Sequence, residues 1–242
     1  MATGARPDMS GEELLAQIPR NTDAERMILA NANCICVPHQ IFKGEDLYAL
    51  VVEKLQTFGT SFQGHAIELS ICMRDPGTFI PAAYGKSHSR SSQRCMAGAA
   101  PTVVQCYSLI HSMRNIMPSA QITARCNEDT PFIWPKILPH LIGLNAEDPV
   151  KAGYDLIGSL LTEIGAQKMQ NYFKSNPPNS EKEHQRVLSA FLEHYANPDA
   201  MEKETTLPSW TNDLLSSLSD LYDEDINTII ARGDVKVIEL AL

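Results

Sequence analysis

Val150-Lys151-Ala152-Gly153-Tyr154-Asp155-Leu156-Ile157-Gly158-Ser159-Leu160 decides how this chain is read. Tyr154, Ile157, Leu160, Leu161 and Ile164 recur at the spacing of one helical face. That spacing predicts a single helix from about Val150 to Phe173. Asp155 is the awkward residue in it. It follows directly on the aromatic of the apolar face, where a carboxylate is costly unless paired or hydrogen-bonded. Lys151, one turn earlier, is one available partner.

On the C-terminal side, Asn176-Pro177-Pro178-Asn179-Ser180 breaks the chain. Ser180 and Glu183 then form a capping box for a helix whose inner face is Val187, Leu188, Phe191 and Tyr195. Asn197-Pro198 ends that helix. The tail beyond keeps a helical period through Leu214, Leu215, Leu218 and Leu221, then Ile226, Ile229 and Ile230, up to Arg232-Gly233.

On the N-terminal side, 102–117 reads as a helix with Val103, Tyr107, Ile110 and Met113 inward. Thr130-Pro131-Phe132-Ile133-Trp134-Pro135 reads as a short, buried segment framed by prolines, and 140–148 as a connector. Residues 45–58 and 65–73 are two further helices, the second stopped by the Asp75-Pro76-Gly77 turn. Residues 81–101 read as a long polar loop, and 1–25 as an arm with one apolar turn around Leu14, Leu15 and Ile18. Strand alternation is confined to short pieces near 35–37 and at the very end. The fold class expected is all-α: an arm over 1–25, one helical core over 26–198, and an acidic helical extension over 199–242.

The net charge of −9 argues against nucleic acid only as a sum. From Asp199 to Leu242 ten acidic residues face three basic ones, so −7 of the charge lies there and only −2 in the rest. Arg74, Lys86, Arg90, Arg94, Arg114 and Arg125 stand against the single Asp75 across 74–125. A basic middle of this kind suits phosphates.

No phosphate-binding glycine loop, dinucleotide fingerprint or nucleophile elbow is present. Cys34-x-Cys36-x-x-His39 offers three ligands at most and lacks a second pair, so no metal and no cofactor is expected. The six cysteines read as free thiols. His111 and His140 read as core histidines. No apolar run is long enough to cross a membrane, and no secretory signal is evident. An enzyme is not expected.

Four segments, in order, resemble the coat proteins of flexuous filamentous plant viruses of the potexvirus and carlavirus type. Cys126, Pro131 and Trp134 follow the family's spacing. So do Ala152-Gly153-Tyr154-Asp155-Leu156-Ile157 and Leu160, with Lys151 and Val150 standing where the family has an aromatic and a basic residue. Pro177-Pro178-Asn179-Ser180-Glu181 with Ala190-Phe191 resembles a third motif, and Ile226 to Arg232-Gly233 a fourth. The resemblance spans roughly 45–235. The family's arginine lies a few residues before the cysteine, whereas Arg125 adjoins it.

The resemblance implies a helical core that polymerises around single-stranded genomic RNA, with the arm docking on a neighbouring subunit. It places the protein in the virion and, during assembly, in the host cytoplasm. It implies that Arg125 contacts a phosphate, that Asp155 orients it from a facing helix, and that Lys151 and the Thr78 hydroxyl add contacts. Such a coat reads backbone rather than base edges. Two other classes share an all-helical architecture: a nucleoprotein of a segmented negative-strand RNA virus, and a cellular helical interaction domain.

Overall fold

Asp75 shows how this sequence starts its helices. Its Oδ1 accepts from the Gly77 backbone N–H at 2.6 Å, and Pro76 fills the first helical position, where a missing N–H is harmless. The computed structural model that carries these details describes residues 25–31, 33–43, 46–87, 96, 99–144, 153–201, 207 and 210–241. The expected arm lies almost wholly outside the described residues, as do Arg90, Arg94 and Lys151.

The chain is mostly helical, but not purely so. Helices α1 (Val51–Ser61), α2 (Pro76–Lys86), α3 (Cys106–Ile116), α4 (Thr130–Ile142), α5 (Asp155–Ser159), α6 (Glu163–Ser175), α7 (Glu181–Tyr195) and α8 (Asn212–Arg232) are joined by strands. A hairpin pairs β1 (Phe42–Lys43) with β2 (Asp46–Leu47), and β3 (Glu68–Met73), β4 (Gln121–Cys126) and β5 (Lys236–Ile238) form a sheet in that order. The all-α expectation is corrected by that three-stranded sheet. Two compact units result. One comprises Met1–Leu69, Asp75–Ile122 and Thr206–Val235; the other comprises Ser70–Arg74, Thr123–Thr205 and Lys236–Leu242.

In the first unit, α3 packs against α1 and α8, and α8 also packs against α2. Polar contacts from α8 tie these helices together. Ser219 donates to Asp75 Oδ2 at 2.6 Å. Asp225 accepts the backbone N–H of Cys106 at 2.5 Å and of Tyr107 at 3.1 Å. Those are orphan donors of α3, whose own N-cap residue, Gln105, supplies no side-chain bond. The acidic C-terminal helix is therefore an integral part of this unit rather than an appendage beyond residue 198. Gly233, at φ 65°, closes α8 at the Arg232-Gly233 step, as the sequence predicts. The same unit buries a core of Cys36, Ile41, Phe42, Ile80, Ala83 and Val104.

In the second unit, β4 pairs in parallel with β5, Thr123 opposite Lys236 and Arg125 opposite Ile238. Helix α4 covers this pair, burying Ile133 and Ile137 against Ile238. The proline-framed segment is thus the start of a full helix, with Pro135 and Pro139 inside it and Gly143, at φ 79°, closing it. The single helix expected over 150–173 is two. Between them Leu161 pairs with Ala196, Thr162 donates its N–H to the Tyr195 carbonyl at 2.8 Å, and Asn197 donates to the Leu160 carbonyl at 2.8 Å. Thr162 Oγ1 then accepts from Gly165 N at 3.2 Å and starts α6. Helices α5, α6 and α7 share a core of Ile157, Leu161, Met169, Phe173 and Leu188.

Candidate nucleic-acid interface

Strand β3 falls where the sequence pattern predicts part of a helix. As a strand it points alternate residues to opposite sides. Glu68, Ser70 and Cys72 are exposed, while Leu69 and Ile71 are half-buried and Met73 is buried. Within the second unit, the exposed side of β3 meets Arg125 of β4. Arg125 donates from Nη1 to Ser70 Oγ at 2.9 Å. That hydroxyl is neutral, and no carboxylate pairs with this guanidinium among the described residues. Its Nε is buried without a partner.

Cys72 stands next to Ser70 on the same strand. Its sulfur lies 3.7 Å from Asn127 Oδ1 and 3.9 Å from Thr130 Oγ1. Crowding by the protein pushes the thiol pKa up, with the Arg125 and Arg74 charges pulling the other way and Glu128 adding to the rise. The thiol therefore stays protonated at neutral pH, and neither neighbour is a base. This corner holds no activated nucleophile. What it can do is hold an anionic oxygen: a guanidinium carries five donors in a planar fork, matched to phosphate.

The other expected site residues separate. Arg74 follows β3 and lies in the second unit with Arg125. Asp155 is in the same unit but does not hold Arg125. It is exposed at the first position of α5, where a negative charge suits the helix N-terminus. The carboxylate sits at the end of a helix rather than on its apolar face, and no ion pair holds it among the described residues.

Thr78, Lys86 and Arg114 belong to the first unit. Thr78 sits in the first turn of α2 and donates to the Asp75 carbonyl at 3.1 Å. Lys86 is exposed in the last turn of α2. Arg114 also has a buried Nε without a partner, but the rest of its guanidinium is committed to structure: it donates to the carbonyls of Ala120 at 2.7 Å and Asp234 at 2.6 Å.

The two histidines read as core residues differ. His140 is half-buried, with Nε2 2.7 Å from Thr123 Oγ1. His111 is exposed and stacks on Tyr107 at 5.9 Å. Cys36 belongs to a hydrophobic core, and among the described residues no group of three His, Cys, Asp or Glu could hold a metal ion. No helix among them is long and apolar enough to cross a membrane.

Compared with protein-family models, curated proteins and solved structures, the chain matches none. Ser70 and Cys72 are the residues that sequence reasoning misses here. The signal is present in Glu68-Leu69-Ser70-Ile71-Cys72-Met73, which alternates polar or small with apolar residues.

Proposed function

We propose that the chain is a coat-type protein that binds single-stranded RNA through its phosphates, without sequence preference, and polymerises helically around it. Arg125 carries the reading. It is a fixed, half-buried cation whose only hydrogen-bond partner among the described residues is a neutral hydroxyl. A half-buried guanidinium with no carboxylate partner among the described residues keeps donors available to an outside anion, and its planar fork is matched to a phosphate. The four ordered sequence motifs support the same reading and extend it to the virion and the host cytoplasm during assembly. Arg74 lies in the same unit, and its charge, like that of Arg125, acts on the Cys72 thiol. Asp155 is left out of this contact.

Electron microscopy of the purified protein with nuclease protection tests the proposal. Flexible rods holding protected RNA are expected. A monodisperse monomer without nucleic-acid absorbance would refute it and leave a protein-interaction domain.

A further inference from the structure

Helices α6 and α7 of the second unit leave an open groove of about 460 Å³ on their outer side. Its walls are aromatic. Tyr172 lies 5.9 Å from Phe191 with the rings edge to face at 64°, and Phe191 lies 6.0 Å from Tyr195 at an interplanar angle of 29°. Three rings thus run in a row along the groove. Lys168 sits at one end, its ammonium 4.9 Å from the Tyr195 ring centroid and donating to the Tyr195 hydroxyl at 3.0 Å. Asn171 and His194 complete the polar rim. His194 Nδ1 donates to the Ala190 carbonyl at 2.9 Å, which leaves Nε2 as an acceptor in the neutral ring.

Phe191 and Tyr195 pack in part against the core shared by α5, α6 and α7, whereas the other wall of the groove faces outward. Tyr172 is 41% exposed, and Lys168 and His194 are exposed as well. The face of α6 that is buried is the opposite one, Gly165, Met169 and Phe173. The volume falls within the range of small-ligand sites. Among the described residues no acidic side chain lines the groove, in a chain with 29 acidic residues and a net charge of −9. Flat π-faces beside a cation, with amide and imidazole groups at the rim, match a planar ring that carries a negative charge. Single-stranded nucleic acid supplies that combination: bases stack on aromatic side chains and phosphates meet the cation.

We infer that this groove stacks a base of the bound single-stranded RNA on the exposed Tyr172 ring, with Lys168, one helical turn away, meeting the adjoining phosphate. The inference rests on the proposed RNA binding and adds a base-stacking site to the phosphate contact at Arg125. Stacking tolerates any base, so the site is compatible with a coat that ignores sequence.

The test uses the full chain and two fluorescein-labelled oligomers of about 12 nucleotides, oligouridine and an abasic strand of equal charge, read by anisotropy. Wild-type protein is expected to prefer the base-bearing strand. Tyr172→Ala should weaken oligouridine binding by about 5-fold to 150-fold, the range for losing one stacked base. It should leave the abasic strand unaffected. Tyr172 is exposed enough that its truncation spares the fold, and far-UV dichroism checks this. Lys168→Ala should instead weaken both strands.

Equal binding of both strands by wild-type protein, or an unchanged preference in Tyr172→Ala, would overturn the groove assignment and leave the RNA-binding reading intact. Failure of wild-type protein to bind either strand overturns both. If Tyr172→Ala changes sedimentation in the absence of RNA, the groove seats a second copy of the chain, and the inference falls.

Discussion

Replacing Arg125 by methionine separates RNA binding from stability. The substitution keeps the hydrocarbon part of the side chain and removes the guanidinium. It deletes one charge-assisted bond, to Ser70 Oγ, worth about 1.5–3 kcal/mol. It also removes a buried, unpaired Nε, whose desolvation costs about 1–3 kcal/mol. The two oppose each other and leave a net change within about 2 kcal/mol, which for a chain of this length is a shift in melting temperature of at most about 4–8 °C. RNA binding responds differently. With one phosphate no longer neutralised, the slope of log K against log salt falls by about 0.7, and at about 0.1 M salt this alone weakens binding about fivefold. Anisotropy titrations of labelled oligouridine across a salt series give the slope, and thermal unfolding gives the stability. Arg125→Lys, which keeps the charge, should retain the slope. An unchanged slope in Arg125→Met, with a normal melt, would remove Arg125 from the interface and with it the observation on which the coat reading rests.

The remaining predictions concern the frame around the site. Asp225→Ala leaves the Cys106 and Tyr107 N–H groups unmet at the start of α3; it should lower unfolding stability by about 1–3 kcal/mol in chemical denaturation followed by dichroism. Asp155→Asn removes an exposed charge with no partner on Arg125, so neither the salt slope nor the nuclease protection should move; a loss of protection would restore the pairing that the structure lacks. His184 packs edge-on to Tyr154 at 5.5 Å and Phe173 at 5.2 Å, with Nε2 buried and unpartnered, and burial holds its pKa below the usual 6.5. The unfolded chain therefore binds the proton more readily, and stability falls as pH drops through 6.5 toward the lowered folded value. His184→Phe should flatten this loss in urea titrations taken from about pH 7.5 to about pH 5.5.

Where local chemistry is self-contained, the sequence is legible. Ser180 accepts from Glu183 N at 3.1 Å and starts α7 as expected, although the Glu183 carboxylate reaches back to Asn179 N at 2.9 Å rather than to Ser180. Gly233 stops α8 for the conformational reason its position suggests. The sheet is less legible. Strand β4 is central, and Ile122, Thr123 and Ala124 are buried in succession, so it shows no alternation to read. Strand β3 does alternate, but Ile67 and Ile71 are also four apart and fit a helical face equally well. In α4 the prolines fall at 131, 135 and 139, each four residues after the last, so all three share one side of the helix. Read singly, each is a helix breaker. The candidate site is only half legible for the same reason: Arg125 stands out through its charge, while its neighbours Ser70 and Cys72 are hidden by the wrong period for β3.

The stretch at 150–160 shows what periodicity leaves out. Tyr154, Ile157, Leu160, Leu161 and Ile164 fit one helical face by spacing alone. Ile157 and Leu161 are indeed buried, yet Ile164 is 64% exposed. The phase slips because the backbone leaves the helix at Leu160–Thr162, where Tyr195 and Asn197 take its hydrogen bonds across the Leu161–Ala196 bridge. That bridge joins residues more than thirty positions apart in the chain, beyond the reach of any local pattern. Restarting at Thr162 turns Gly165, Met169 and Phe173 inward. Gly165 is held against the Tyr195 side chain so closely that a Cβ there would collide with it. The same restart sends Ile164, Lys168 and Tyr172, at the same four-residue interval, to the outside. A single continuous helix would have put the apolar stripe elsewhere and given α7 a different neighbour. The exposed ring and ammonium that line the groove with Phe191 and Tyr195 are thus a consequence of one interrupted helix.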